Sequence, residues 1–369
     1  METTKGIKVL VTGASGFIGS FLCEEGLKHG CTVWAGMRRR SSRRYLQNEW
    51  LQFVELDMTD RTVLERQLSD FKNKYGAWDV VIHAAGATKC LKREDFELNN
   101  YVCTRNLADA LVELDMVPKQ FIFVSSLSVL GPVRESECAP HAVRTFFDDA
   151  MCSPHFKDTY TVGRSVYEPI TASDTPVPNT AYGLSKLRAE DYLRSLEGFP
   201  FVIFRPTGVY GPREKDYFLV AKSVKSHVDF SVGFKPQEIT FVYVRDLVGA
   251  IWCAVEKGVC GRTYIVSDGY VYNSRAFSDL IQKNLRISGV LHVKAPLWLL
   301  RAVSAVSEAV SGITGKAGTL NGDKYNIIKQ RNWQCDISPM VDELGYTPQW
   351  NLERGVEETI NWYKKERWI

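Results

Sequence analysis

Seven short runs of β-branched and aromatic residues alternate with longer stretches of helical periodicity through the first two-thirds of the chain. They are Ile7–Thr12, Thr32–Met37, Leu51–Leu56, Val80–Ala84, Phe121–Ser125, Phe201–Arg205 and Ile239–Val244. Each is almost continuously apolar instead of alternating, the pattern of a strand buried on both faces. Strands that alternate with helices read as βαβ units. The chain is therefore expected to fold as an α/β protein, with a doubly wound parallel sheet between two helix layers.

Past residue 260 the pattern changes to one strand-like run, Thr263–Val266, and then mostly helical segments ending in 352–368. A length of 369 residues suits two lobes at roughly 150 residues per domain. The expected division is a sheet-bearing domain, residues 1–212 and 238–260, and a smaller, mostly helical C-terminal lobe, residues 213–237 and 261–369. Residues 134–179 are irregular, with Pro140, Pro154, Pro169, Pro176 and Pro178 and no sustained period. A loop of that length in a compact protein is usually functional or mobile.

Composition removes several classes. With 45% hydrophobic and 24% charged residues, the chain can bury a large core and is not intrinsically disordered. Lys and Arg total 46 against 43 Asp and Glu, too even a balance for a protein that coats nucleic acid. Nine cysteines without a C-x-x-C argue against a disulfide or metal framework, so no metal is expected and a reducing, cytoplasmic setting fits. Residues 1–6 are polar and lack the order of a signal peptide. The apolar stretch 295–310 holds Arg301, Ser304, Ser307 and Glu308 and is too short and polar for stable membrane insertion.

The segment Val9-Leu-Val-Thr-Gly13-Ala-Ser15-Gly16-Phe17-Ile18-Gly19 follows a strand and opens a helix, the context of a dinucleotide fingerprint. Gly13 permits a tight turn, Gly16 lets backbone approach a pyrophosphate, and Gly19 allows close helix-to-strand packing, so the sheet-bearing domain is expected to be a Rossmann-type nucleotide-binding domain and the C-terminal lobe to bind substrate. Amides at that helix start, from Ser15 to Ile18, favour phosphate; turn chemistry alone is the plainer alternative. At the end of the second strand, where an acid would bind the ribose of NAD(H), stand Gly36 and Met37 and then Arg38, Arg39, Arg40, Arg43 and Arg44. Arginine grips phosphate in a bidentate fashion, so NADP(H) is expected over NAD(H), with Arg38 the main contact; the competing reading is an ordinary solvated charge run. Asp57, followed by Met58, either accepts from adenine or caps the next helix.

Three further pieces carry chemistry. They are Ser125-Ser126 at the end of the fifth strand, Tyr182-Gly-Leu-Ser-Lys186, and Arg205-Pro206-Thr207-Gly208-Val-Tyr210-Gly-Pro212. In Y-x-x-x-K the two side chains share a helix face. A phenol with a pKa of about 10 is a poor base at neutral pH, and a neighbouring ammonium would favour its phenolate. Lys186 could serve so while holding the nicotinamide ribose, and Ser126 could hydrogen-bond the reacting carbonyl or alcohol.

In this order the pieces resemble the extended short-chain dehydrogenase/reductase superfamily, the NAD-dependent epimerase/dehydratase family, from Lys8 to Trp362. Further matches are His83-Ala84-Ala85-Gly86, the segment from Asn100 to Asn106, Phe241 to Asp246, and Leu344 to Pro348. The resemblance implies a catalytic set of Ser126, Tyr182 and Lys186. Asn100 either supports a proton relay or fixes its helix, and His83 positions backbone beside the cofactor. Gly13, Ser15, Gly16, Phe17, Ile18, Gly19, Arg38, Asp57, Met58, Ala84, Ala85, Gly86, Tyr182, Lys186 and Pro206 would line the cofactor. A homodimer through the helices bearing Asn100 and Tyr182 is also implied.

Within that superfamily the chain is similar to the dihydroflavonol reductase and 3β-hydroxysteroid dehydrogenase-like branch. Dehydratases follow the catalytic hydroxyl with an Asp-Glu pair, where Leu127 and Ser128 stand. Sugar-nucleotide members carry an Asn at the place of Gly208. The expected activity is NADP(H)-dependent reduction of a ketone or aldehyde, or the reverse oxidation, on a mostly apolar, steroid- or flavonoid-like small molecule, with Tyr182 as proton donor. The alternatives are a nucleotide-sugar epimerase using the same residues, and a non-catalytic NADP(H) sensor or scaffold. The run 295–306 would line an apolar pocket, touch a membrane surface or pack on its own lobe. The insertion, with Phe146, Phe147, His155, Phe156, Tyr160 and Tyr167, is expected to act as an aromatic lid or as a flexible or dimer-contacting flap.

Overall fold

The computed structural model describes residues 4–146, 154–314 and 322–369. Seven parallel strands form the central sheet: β1 (Lys8–Thr12), β2 (Thr32–Met37), β3 (Gln52–Glu55), β4 (Val80–His83), β5 (Gln120–Val124), β6 (Phe201–Pro206) and β7 (Arg262–Val266). Their spatial order is β7-β6-β5-β4-β1-β2-β3, which puts the switch of direction between β1 and β4, where α/β sheets of this kind bind ligands.

Side-chain alternation divides each strand between two cores. Val9, Val11, Ile122 and Val124 enter one, shared with α1 (Phe17–Lys28). Leu10, Val81, Phe121 and Phe123 enter the other, shared with α2 (Arg61–Tyr75) and α3 (Cys103–Glu113). Two-sided burial is why these strands read as unbroken apolar runs. Asp60 caps α2, its side chain accepting from the Val63 amide at 3.0 Å. The cap considered at Asp57 therefore sits three residues later, and Asp57 accepts from the Thr59 amide and hydroxyl instead.

Two strands depart from expectation. Phe241–Tyr243 leaves the main sheet and pairs with Gly208–Tyr210, while Glu238–Ile239 pairs with Tyr272–Asn273. The seventh central strand is Arg262–Val266, in register with Val202–Pro206, although its run was assigned to the C-terminal lobe. The intervening α5 (Val244–Lys257) supplies the crossover, and Gly258 and Gly261, at φ +62° and +69°, turn the chain back. Apolar content marks a strand but does not choose its neighbour. Between β5 and β6 runs α4 (Ala181–Ser195), the helix that carries Tyr182 and Lys186.

The insertion is docked through its described residues. Phe156, Tyr160 and Tyr167 are buried, and Phe156 meets Tyr160, Tyr270 and Tyr272 edge-on or tilted. Arg134 and Asp174 close its base with a bidentate pair. Phe156 and Tyr160 thus belong to the same hydrophobic core as the α1 face of the sheet; Phe147 lies outside the described residues. The helix α6 (Leu297–Thr314) departs from core packing, since Trp298, Leu299 and Val303 are exposed. Among the described residues no helix is long and apolar enough to cross a membrane. The eight described cysteines are free thiols.

Candidate active site

The loop after β1 is shaped by close approach. Gly13 has φ +67°, and a Cβ there would lie 2.7 Å from the Ala85 backbone. A Cβ on Gly19 would lie 2.2 Å from the Gly13 carbonyl oxygen. Only glycine fits such contacts. Gly16 opens α1 with neither a side-chain cap nor an acid in the first turn, which leaves its first amides free for an anion. Ser15, Phe17 and Ile18 are half-buried around it, and Ala84 and Ala85 are half-buried where β4 ends. Thr207, directly after the buried Pro206, holds a buried hydroxyl without a partner. The uncapped helix start behind a turn that only glycine can form fits the phosphates of a bound dinucleotide.

Arg38, Arg39 and Arg40 are exposed just past β2, and no ion pair to them is found among the described residues. Arg43 and Arg44 are used structurally. Arg43 stacks 4.0 Å from the Phe53 ring centre, while Arg44 covers Tyr45 and pairs with Glu366 at 3.6 Å. Arg38 and Asp57 act with opposite sign on the Cys103 thiol, which burial, the larger influence, helps push up to about 11. The Met58 carbonyl accepts from Asn106 on α3 at 2.9 Å.

Ser126, Tyr182 and Lys186 come together where the end of β5 meets α4. Thr180 caps α4, its hydroxyl accepting from the Gly183 amide at 2.9 Å. Asp323, from α7 (Gly322–Lys329), accepts from the Ala181 and Tyr182 amides at 3.2 Å each. The Ser126 hydroxyl accepts from the Ser128 amide at 3.2 Å and lies close enough to the Tyr182 phenol to act on it. Lys186 is buried, donating from Nζ to the Val124 carbonyl at 2.9 Å and lying 4.7 Å from the Phe123 ring centre. Burial pulls its ammonium down to about 8 against the opposing charge of Glu190.

The expected lowering of the Tyr182 pKa is reversed here. Burial raises it, and the hydrogen bond from Ser126 is the influence that opposes the rise. An enclosed phenolate loses hydration, so proton loss becomes harder. A neutral Tyr182 is accordingly in the form that donates a proton to an alkoxide.

Asn100 is buried in a π-helical turn, Glu97–Val102, a local form common at functional sites. Its amide accepts from the Ala87 N–H at 2.8 Å and donates to the Ala87 carbonyl at 3.0 Å and Ser185 Oγ at 2.9 Å. It therefore clamps the loop after β4 to α4. A Cβ on Gly86 would lie 2.8 Å from Asn100 Oδ1 and 3.0 Å from Lys186 Nζ, so the three converge. His83 is buried between the Thr12 and Thr104 hydroxyls at 2.7 and 2.9 Å. Burial, with the Lys186 charge, pushes it down to about 3, so it is neutral and structural.

Glu190, one turn beyond Lys186, was not singled out from sequence. It is buried, accepts from Ser125 Oγ at 2.5 Å and pairs with Arg205 at 2.6 Å. The i, i+4, i+8 spacing of Tyr182, Lys186 and Glu190 was the available signal. Asp323 and Ser185 had none, because their partners lie far away in sequence. A cleft of about 290 Å³ lined by Arg134, Phe146, Glu168, Gly269, Tyr270 and Cys335 includes none of Ser126, Tyr182 and Lys186.

Residues 9–146 and 158–267 match the model of the NAD dependent epimerase/dehydratase family. The chain is 24% identical over 367 residues to UDP-glucose 4-epimerase of Vibrio cholerae, covering 95% of this chain and 94% of that one. It is 22% identical over 377 residues to a decarboxylating sterol-4-alpha-carboxylate 3-dehydrogenase of Candida albicans, covering 97% and 98%. The solved dTDP-glucose 4,6-dehydratase of Bacillus anthracis, in complex with NAD, shares the fold with a TM-score of 0.71 at 17% identity, covering 98% of each chain.

Proposed function

The chain belongs to the NAD-dependent epimerase/dehydratase family of enzymes, and from that premise we propose that it moves a hydride reversibly between a nicotinamide cofactor and a carbinol carbon of a small-molecule substrate. The observation that carries this reading is that α4 sets Tyr182 one turn from the buried Lys186, whose ammonium is held on the last carbonyl of β5, with the Ser126 hydroxyl near enough to act on the phenol. Bound at the β1 loop, the cofactor supplies the hydride donor or acceptor. Ser126 holds the substrate oxygen, Tyr182 gives or takes its proton, and Lys186 places positive charge beside both and holds the cofactor ribose. Leu127 and Ser128 leave no carboxylic acid to expel water, which speaks against a dehydratase.

The relatives' names support a nucleotide-linked sugar more than an apolar ring, so an epimerase comes first and the apolar ketone or aldehyde second. One contact favours the second. The Tyr217 hydroxyl would lie 2.2 Å from a Cβ on Gly208, filling the space where sugar-nucleotide members carry Asn. The readings separate cleanly: an epimerase interconverts two sugar nucleotides without net cofactor turnover, whereas a reductase consumes reduced cofactor with a hydroxysteroid ketone or flavanonol. For the cofactor we favour NADP(H), supported by Arg38, Arg39 and Arg40 and by the lack of an acid at Gly36 and Met37. Arg38→Ala should weaken NADPH binding about tenfold in Kd, the value of a charge-assisted hydrogen bond, and leave NADH binding unchanged. An unchanged NADPH Kd would overturn the assignment.

A further inference from the structure

We propose that Cys138, His141 and Glu168 form a zinc site that clips together the two arms of the insertion, a role separate from hydride transfer. One ligand atom from each lies within 4.8 Å of the others, the group of this kind found among the described residues. Cys138 Sγ and His141 Nδ1 are 3.6 Å apart. Two ligands on one tetrahedral zinc, at about 2.3 Å for sulfur and about 2.0 Å for nitrogen, stand about 3.5 Å apart. The pair thus already holds the separation a shared ion requires.

The backbone holds both arms in place without a metal. His141–Ala142 pairs antiparallel with Arg164–Ser165, and the Cys138 amide donates to the Val166 carbonyl at 2.8 Å. Buried Asn332 donates to the Arg134 and Glu168 carbonyls, each at 2.9 Å. On the far side of the imidazole, Nε2 is buried without a partner. The Glu238 carboxyl, which accepts from Ser165 and the Val166 amide, lies close enough to be influenced by His141.

The charges balance. On binding, Cys138 releases its proton, so a thiolate, a carboxylate and a neutral imidazole meet a dication. Glu168 is exposed, which leaves the fourth position to water. The proposal departs from the expectation of no metal, because a C-x-x-H with its third ligand across a hairpin carries no recognisable spacing in sequence.

The test uses the untagged full chain, stripped with chelator, loaded with zinc and dialysed, beside Cys138→Ser, His141→Ala and Glu168→Gln. Wild type should retain about one zinc per chain and show a zinc-dependent rise in melting temperature, with binding at least about tenfold weaker in each variant. Cobalt should give a thiolate charge-transfer band in wild type that Cys138→Ser lacks. The Glu168→Gln change is at the surface, so its melting in chelator should equal wild type even if the other variants fold poorly. Equal retention and an equal thermal rise in wild type and Glu168→Gln, or no zinc retained by wild type, overturns the site.

Discussion

Tyr182 and Lys186 each titrate away from the ordinary range for a shared reason, and the consequence is testable at these two residues. Burial disfavours charge on both, raising the phenol and lowering the ammonium to about 8. Lys186 is therefore protonated below pH 8 and loses its charge as pH rises through that value. If catalysis needs the ammonium, kcat/KM falls on the alkaline side with a limb near 8, the free-enzyme value. Lys186→Arg should move that limb out of the accessible range; a limb unchanged in that variant assigns it elsewhere. Tyr182→Phe should cut turnover by at least about 100-fold while nucleotide binding, followed by fluorescence, persists. Residual activity near wild type would remove Tyr182 from the proton-transfer role.

At the scale of elements, the buried Glu190 ties three pieces of backbone together. It takes the Ser125 hydroxyl at the end of β5 and the Arg205 guanidinium on β6, and it rides on α4 behind Lys186. Removing one member of a buried pair leaves the other charge uncompensated. Glu190→Ala should therefore cost about 3–5 kcal/mol, read from the urea midpoint, and the double variant with Arg205→Met should recover part of that loss. A loss below about 1 kcal/mol would mean that water replaces the pair. The same helix shows what sequence reading reaches. Its one-turn spacing placed Tyr182 and Lys186 together, but the Asp323 contact to its first amides comes from α7, over a hundred residues away.

For the whole molecule, the open question is what covers the outer face of the helices around the site. Leu98 and Leu184 are exposed, at 38% and 50%, on neighbouring elements that pack together. A homodimer through these helices would bury both. Sedimentation should give a dimer for wild type and a monomer for Leu184→Glu; a wild-type monomer at micromolar concentration would dispose of the dimer.

Local chemistry was readable because it is written in contiguous residues. The glycines of the β1 turn, the arginines after β2 and the Y-x-x-x-K turn depend on neighbours within a few positions, and so did six of the seven central strands. Tertiary structure decided what depends on partners distant in the chain. It put Arg262–Val266 in the central sheet in place of Phe241–Tyr243, because edge pairing follows from the crossover helix and not from apolar content. It turned Phe156 and Tyr160 inward, and it raised the Tyr182 pKa where the sequence implied a fall. Desolvation depends on everything that encloses a group, and no short motif records that enclosure.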